Sequence, residues 1–306
     1  MAEIRLANAP VSFGVFELTA DEALLPSPDE VLDAMVAAGY EGTELGPPGY
    51  LGDAEALRGR LERRGLALVG AFIPLRLTDR EGFAEDLEAA RSVLRLLDEA
   101  APFGVRPKAV LADAGDAGRT RYAGRIIDHP ETWLSSDRVL RLVDRLHEAA
   151  RVCRDAGFEP VVHPHAGTYI ETEAETIAVV NRIDGSLLGL CLDSGHAAFG
   201  GADAAILGWE ERDLVRHVHL KDCSRAVLGG VAQDDADMRE AWARDVFVDL
   251  GTGDADIPAV VGMLRDIGYG GWAVVEQDRI LRRGDSLTTL TETHRRNREY
   301  LRELGL

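Results

Sequence analysis

Cysteine is scarce in this chain, and Cys153, Cys191 and Cys223 stand far apart with no CxxC spacing. That excludes a disulfide scaffold and a paired-cysteine zinc motif, and reads as buried free thiols of a reducing compartment. Long apolar runs are also missing, since none approaches the ~20 residues a membrane span needs. The first residues, "MAEIRLANAPVSFG", lack a basic segment followed by an apolar one. The expectation is therefore a cytoplasmic protein with no signal peptide and no membrane partner. Positive charge is in deficit: 34 Lys and Arg face 53 Asp and Glu, a formal net charge of −19. Polyanions are held by clustered Lys and Arg, so nucleic acid is not an expected partner. No low-complexity tract or composition break marks a linker.

What is present is an alternation of strand-like and helix-like segments across nearly all 306 residues. "IRLANAPVSF" (Ile4–Phe13) precedes the helix "SPDEVLDAMVAAG", where Ser27 and Asp29 offer N-caps and Gly39 a C-terminal stop. Strands "EGTELG", "LALVGAFIPL" and "RPKAVLADAG" follow, separated by helices from Asp53 and from Asp79 to Ala100. The fifth strand, "VVHPHAG", leads into a helix capped by Thr172 and Glu175. "LLGLCLDSGH", "VRHVHLKD" and "GWAVVEQD" are strands six to eight, and a helix from Ser286 to Glu303 closes the chain. Eight such units fit a single α/β domain over residues 1–306, a (β/α)8 TIM barrel, better than a doubly wound sheet. No strand is followed by GxGxxG, and the loop "GTGDAD" (Gly251–Asp256) is weak evidence for phosphate binding. The sizeable irregular insertion runs from Cys223 to Asp256.

Barrel enzymes gather chemistry at the C-terminal ends of their strands. Polar residues are dense there: Asn8, Ser12, Glu44, Asp113, His163, His165, Asp193, His196, His217, His219, Lys221, Glu276 and Asp278. Asp193, His219 and Glu276 terminate three consecutive apolar strands. Buried charges need partners or a metal, and mixed carboxylate and imidazole donors suit a divalent ion: Mn²⁺ or Co²⁺, with Zn²⁺ or Mg²⁺ as alternatives. His217 shares a strand face with His219 one layer deeper and is read as structural. His163 and His165, two apart on a strand, should also share one face.

"LCLDSGH", "VRHVHLKD" and "AVVEQD", in that order, resemble the xylose-isomerase-like TIM-barrel superfamily of sugar isomerases, epimerases and dehydratases. "NAPVSFGVFE" (Asn8–Glu17), "HPHAGTYIET" and "DSGHAAFGG" narrow the resemblance to the inosose (2-keto-myo-inositol) dehydratase branch. The resemblance implies a divalent metal held by Asp193, His219 and Glu276 plus one ligand from strand five. Relatives commonly carry a glutamate at the end of that strand, and this chain does not. The fourth ligand is then His163, His165 or Glu171. Assigning Glu171 leaves both histidines for proton transfer.

The chemistry expected is proton abstraction next to a carbonyl, with His163 or His165, near its ordinary pKa, or a carboxylate as base. Lys221 would hold substrate oxygens or donate a proton to the departing hydroxyl. Asn8, Glu44 and His196 are the candidates for contacts to a sugar or cyclitol substrate. A dehydratase is the leading reading and a ketose or sugar-phosphate isomerase or epimerase its alternative. A sugar-binding module on the same barrel is the non-enzyme alternative, and self-association into a homo-oligomer stays open.

Overall fold

Eight parallel strands close into a barrel, each joined to the next through helical segments. The computed structural model describes residues 3–16, 18–19 and 24–306, so Glu17 of the Asn8–Glu17 motif lies outside the described residues. The strands are Ile4–Asn8, Gly42–Glu44, Ala67–Leu75, Lys108–Asp113, Glu159–Val162, Gly189–Asp193, Val215–Leu220 and Gly271–Val275. Each pairs with its sequence neighbours, and the eighth pairs with the first. Parallel strands covered by helices are buried on both faces, which is why they read as near-continuous apolar runs. Strand six, "GLCLD", is buried at every position.

Local chemistry sets the helix ends. Ser27, not Asp29, caps the helix Pro28–Ala38, in a reciprocal capping box with Glu30 and with Pro28 in the first turn. Gly39 ends that helix at φ +93°, a left-handed backbone that only glycine adopts without strain. Thr172 and Glu175 form the expected capping box on the helix Glu173–Val180. No described helix is long and apolar enough to cross a membrane.

Three segments differ from the sequence expectation. Strand one stops at Asn8, and Pro10–Phe13 form a 3-10 turn. Strand five stops at Val162, because Pro164 has no N–H to continue the ladder. His163 still donates its backbone N–H to Leu111 O at 2.8 Å, so it keeps the strand's direction for one more residue. The insertion Cys223–Asp256 is not irregular throughout: it folds into helices Arg225–Gln233 and Met238–Ala243 and an antiparallel pairing of Asp222–Cys223 with Phe247–Val248.

The loop "GTGDAD" already has an anion, and it comes from the protein. The buried Asp222 carboxylate accepts N–H bonds from Cys223 (2.8 Å), Gly251 (2.9 Å), Gly253 (2.9 Å) and Ala255 (3.0 Å). A carboxylate so held leaves those amides no capacity for phosphate, which corrects the phosphate reading.

Candidate active site

Strand register brings the expected residues to one level. Asp193 lies opposite His219 across strands six and seven, and His219 opposite Val274 on strand eight. Glu276, one residue past strand eight, continues the ladder by donating its N–H to Leu220 O at 3.1 Å. Asp193, His219 and Glu276 thus converge with their donor atoms within 4.8 Å of one another. His219 Nδ1 is 3.2 Å from Glu276 Oε2 and 3.5 Å from Asp193 Oδ2.

Asp193 divides its two oxygens. Oδ1 caps the helix Ser194–Phe199, accepting from Gly195 N and His196 N at 2.8 Å each. That bond fixes the rotamer and leaves Oδ2 to face the cluster, 3.3 Å from His163 Nε2. Burial alone would raise the Asp193 pKa, but the Lys221 ammonium and His196 hold it well below the usual carboxylate range. Glu276 behaves alike: burial opposes ionisation, yet His219 and Lys221 bring its pKa down to about 2.

Lys221 is completely enclosed, and lysine occurs in this chain only here and at Lys108. Its Nζ lies 2.8 Å from Asp278, 3.0 Å from Glu276, 3.5 Å from Asp193 and 3.1 Å from His196 Nε2. Burial would discharge it, but Asp193, Asp278 and Glu276 hold its pKa well above the ordinary value. Asp278, two residues after Glu276, is one of the polar strand-end residues to which the sequence assigns no role. Burial pushes its pKa up to about 6 against the pull of Lys221. The alternating spacing 276–278 was the signal for it.

The histidines have distinct hydrogen-bond chemistry. His165 Nδ1 donates to Ala166 O at 2.9 Å, because a carbonyl only accepts, so Nε2 carries the lone pair. Its pKa falls to about 3, first through burial and then through His163 and Lys221, which corrects the expectation of a near-ordinary value for this ring. His163 Nδ1 is buried without a hydrogen-bond partner. His196 packs against His165 with ring centroids 3.8 Å apart, beside Lys221. All three rings belong to the cluster, although strand five supplies only the approach to two of them.

Two residues expected at the site do other work. Asn8 Oδ1 accepts from Ala9 N at 2.7 Å, and its Nδ2 lies 3.3 Å from His294 Nδ1. Both ends of its amide are committed to joining strand one to the last helix, so it is not free for a substrate. Glu171 is not brought into the cluster. Its carboxylate accepts from Gly124 N at 2.9 Å and from Gly167 N, tying the loop after strand five to the segment before Ile126. Burial raises its pKa to about 7 despite those two N–H groups. Among the described residues, no group of clustered ligand atoms includes it, which corrects its assignment as the fourth ligand.

Glu44 does reach the cluster, in an unforeseen role. Its Oε1 lies 2.7 Å from His217 Nε2 and 3.1 Å from His219 Nε2. Burial would raise its pKa, but His219 and His217 hold it well below the usual range.

The donor set passes a test for a divalent ion. Three carboxylates (Asp193, Glu276 and Asp278) surround one ammonium and a fourth, Glu44, is buried against His217 and His219, an excess of negative donors that a dication offsets. His219 Nδ1 is buried with no hydrogen-bond partner and points between two carboxylates. The cluster is closed over in this conformation, with Glu276 the most exposed of its carboxylates at 7%. The large cavity, about 830 Å³, lies to one side, between the loop at 124–134, the helix Glu173–Val180 and the helix Arg225–Gln233. Chemistry is dictated by where donors converge, so the cluster and not that cavity is the candidate site.

Comparison with known proteins identifies the family to which this barrel is similar. The family model for the xylose isomerase-like TIM barrel matches residues 32–304. An inosose dehydratase of Geobacillus kaustophilus (strain HTA426) is 33% identical over 253 residues, 82% of this chain and 80% of that protein. The rhizopine catabolism protein MocC of Rhizobium meliloti is 32% identical over 286 residues, 91% of this chain and 83% of that one. Among solved structures, IolI with a bound zinc atom superposes with a TM-score of 0.69 at 16% identity, covering 97% of this chain and 98% of its own. D-allulose 3-epimerase from Methylomonas sp., in complex with D-allulose, gives 0.67 at 14% identity, covering 99% and 98%.

Proposed function

The chain belongs to the xylose isomerase-like TIM-barrel family, and from that premise we propose that it is a divalent-metal-dependent dehydratase acting on an inosose or a closely related keto-cyclitol. The observation that carries the reading is the convergence of Asp193, His219 and Glu276 on three adjacent strands. Those three residues would hold the ion, and His163, whose Nε2 is 3.3 Å from Asp193 Oδ2, would be the fourth donor. A bound divalent ion supplies Lewis acidity toward the substrate's carbonyl. The whole of 1–306 serves as one barrel domain around this site.

The remaining chemistry belongs to the side chains. His165 carries a lone pair on Nε2 and takes the proton from the carbon next to the carbonyl. Its neutral state is secured by burial and by Lys221 nearby. Lys221, held as an ammonium, donates a proton to the hydroxyl on the adjacent carbon, which departs as water. The C–H pair becomes the new C=C bond, so the step balances without an oxidant or reductant. His196, packed between His165 and Lys221, keeps the two groups apart.

An isomerase or epimerase uses the same first step and returns the proton instead of expelling water. The inosose dehydratase relatives at 33% and 26% identity favour dehydration. Incubating the Mn²⁺- or Co²⁺-loaded protein with inososes and ketoses, and reading products by mass spectrometry, separates the two. Loss of water supports the proposal, and an isomer of unchanged mass overturns it in favour of epimerisation.

A further inference from the structure

We propose that Glu44 is a positioning residue that makes His219 a ligand through Nδ1, by holding the ring proton on Nε2. The inference rests on the metal-dependent reading of the cluster. Strands two and seven are not neighbours in the barrel, so Glu44 and His219 meet through its interior. Glu44 Oε1 lies 3.1 Å from His219 Nε2. An ionised carboxylate only accepts, so Nε2 must carry the proton. In the neutral ring, the form that ligates an ion, that leaves Nδ1 as the nitrogen with a free lone pair, and it is the buried atom without a hydrogen-bond partner that faces Asp193 and Glu276.

Two further features hold Glu44 itself. His217 Nε2 donates to the same Oε1 at 2.7 Å, which gives the deeper histidine of strand seven its purpose. Gly70 on strand three makes room for the carboxylate: a Cβ there would sit 2.5 Å from Glu44 Oε1 and 3.0 Å from its Cδ. His217, Glu44 and His219 thus form a chain in which each member orients the next. A carboxylate that orients a ligating histidine in this way is typically worth ~10–100-fold in metal affinity.

The test is Zn²⁺ affinity, measured by competition with a chromophoric chelator on stripped protein, for wild type, Glu44→Leu, Glu44→Gln and Gly70→Ala. Circular dichroism checks that each variant is folded. Glu44→Leu should bind ~10–100-fold more weakly. Glu44→Gln, whose amide oxygen still accepts, should lose less. Gly70→Ala keeps every ionisable group and should weaken binding by displacing the carboxylate, so it stands in if Glu44→Leu does not fold. Long-range ¹H–¹⁵N spectra of the Zn²⁺-loaded wild type should show His219 protonated at Nε2 and coordinated at Nδ1. Coordination through Nε2, or wild-type affinity in both Glu44→Leu and Gly70→Ala, overturns the positioning role alone. A wild type that takes up no Zn²⁺ overturns the metal-dependent reading beneath it.

Discussion

Arg119 closes two parallel hydrogen bonds on Glu175, 2.7 and 2.8 Å long, with its guanidinium entirely out of water. The pair joins the short helix after strand four to the first turn of the helix after strand five. Glu175 Oε2 also accepts from Glu171 N at 3.2 Å and Thr172 N at 3.0 Å. The loop that begins with His163 and His165 is therefore clamped at its far end by an arginine from another unit of the barrel. Arg119→Met should destabilise the protein by about 3 kcal/mol, because removing one partner strands a buried charge. The low end of the usual range applies, since Glu175 keeps 20% of its side chain in water. Urea unfolding checks it, and a midpoint equal to wild type would show that the clamp contributes nothing.

Asp193 offers a way to separate metal binding from helix capping. Asp193→Asn keeps an oxygen for Gly195 N and His196 N but removes the charge at Oδ2. Asp193→Ala removes both. Metal analysis after dialysis should show strong depletion in both variants, while only the alanine variant also loses about 1 kcal/mol from the missing cap. Full metal content in the asparagine variant would take Asp193 out of the ligand set.

The barrel and the convergence of Asp193, His219 and Glu276 were legible because both depend on short-range patterns: apolar runs at regular intervals, each ending in a polar residue. Asp193, His219 and Glu276 each close such a run. Glu171 misled for a physical reason. A glutamate four residues beyond a loop glycine can turn toward the barrel or toward backbone amides, and the sequence does not say where Gly124 N will be. The roles of Glu44 and Asn8 were hidden likewise, since each depends on a partner more than 170 residues away, His217 and His294 respectively. Asp113 was visible as a polar strand-end residue, but its burial follows from packing of separate units.

Asp113, at the end of strand four, gives a pH prediction. Burial raises its pKa from 3.8 to about 6, partly offset by N–H bonds from Tyr169 and Gly115. The folded state therefore binds this proton more tightly than the unfolded chain does. The stabilising contribution is fully present below the unfolded pKa and is lost as pH rises through the folded value. At about 1.4 kcal/mol per pH unit, the gap corresponds to roughly 3 kcal/mol. Asp113→Asn mimics the protonated form, so it should be more stable than wild type at neutral pH and lose that advantage near pH 4. Parallel denaturation curves at several pH values measure the difference, and a constant offset between the two proteins would contradict the assignment.

The two histidines of strand five's extension should respond differently to the same substitution. His163 lies 3.3 Å from Asp193 Oδ2 and so touches the ligand set directly. His165 bonds only to Ala166 O and packs against the His196 ring. His165→Gln should therefore leave Zn²⁺ or Mn²⁺ affinity intact while slowing turnover by ~10²–10⁴-fold, the usual worth of a general base. His163→Gln should lower metal affinity and activity together, because an amide is a poorer donor than imidazole. Exchange of the substrate's α-proton with solvent deuterium supplies the second readout: the His165 variant should lose exchange in step with turnover, even with metal bound. If His165→Gln exchanges at the wild-type rate, the base is His163. That outcome would make one residue serve both the ion and the proton, and the division of labour proposed for this loop would have to be abandoned.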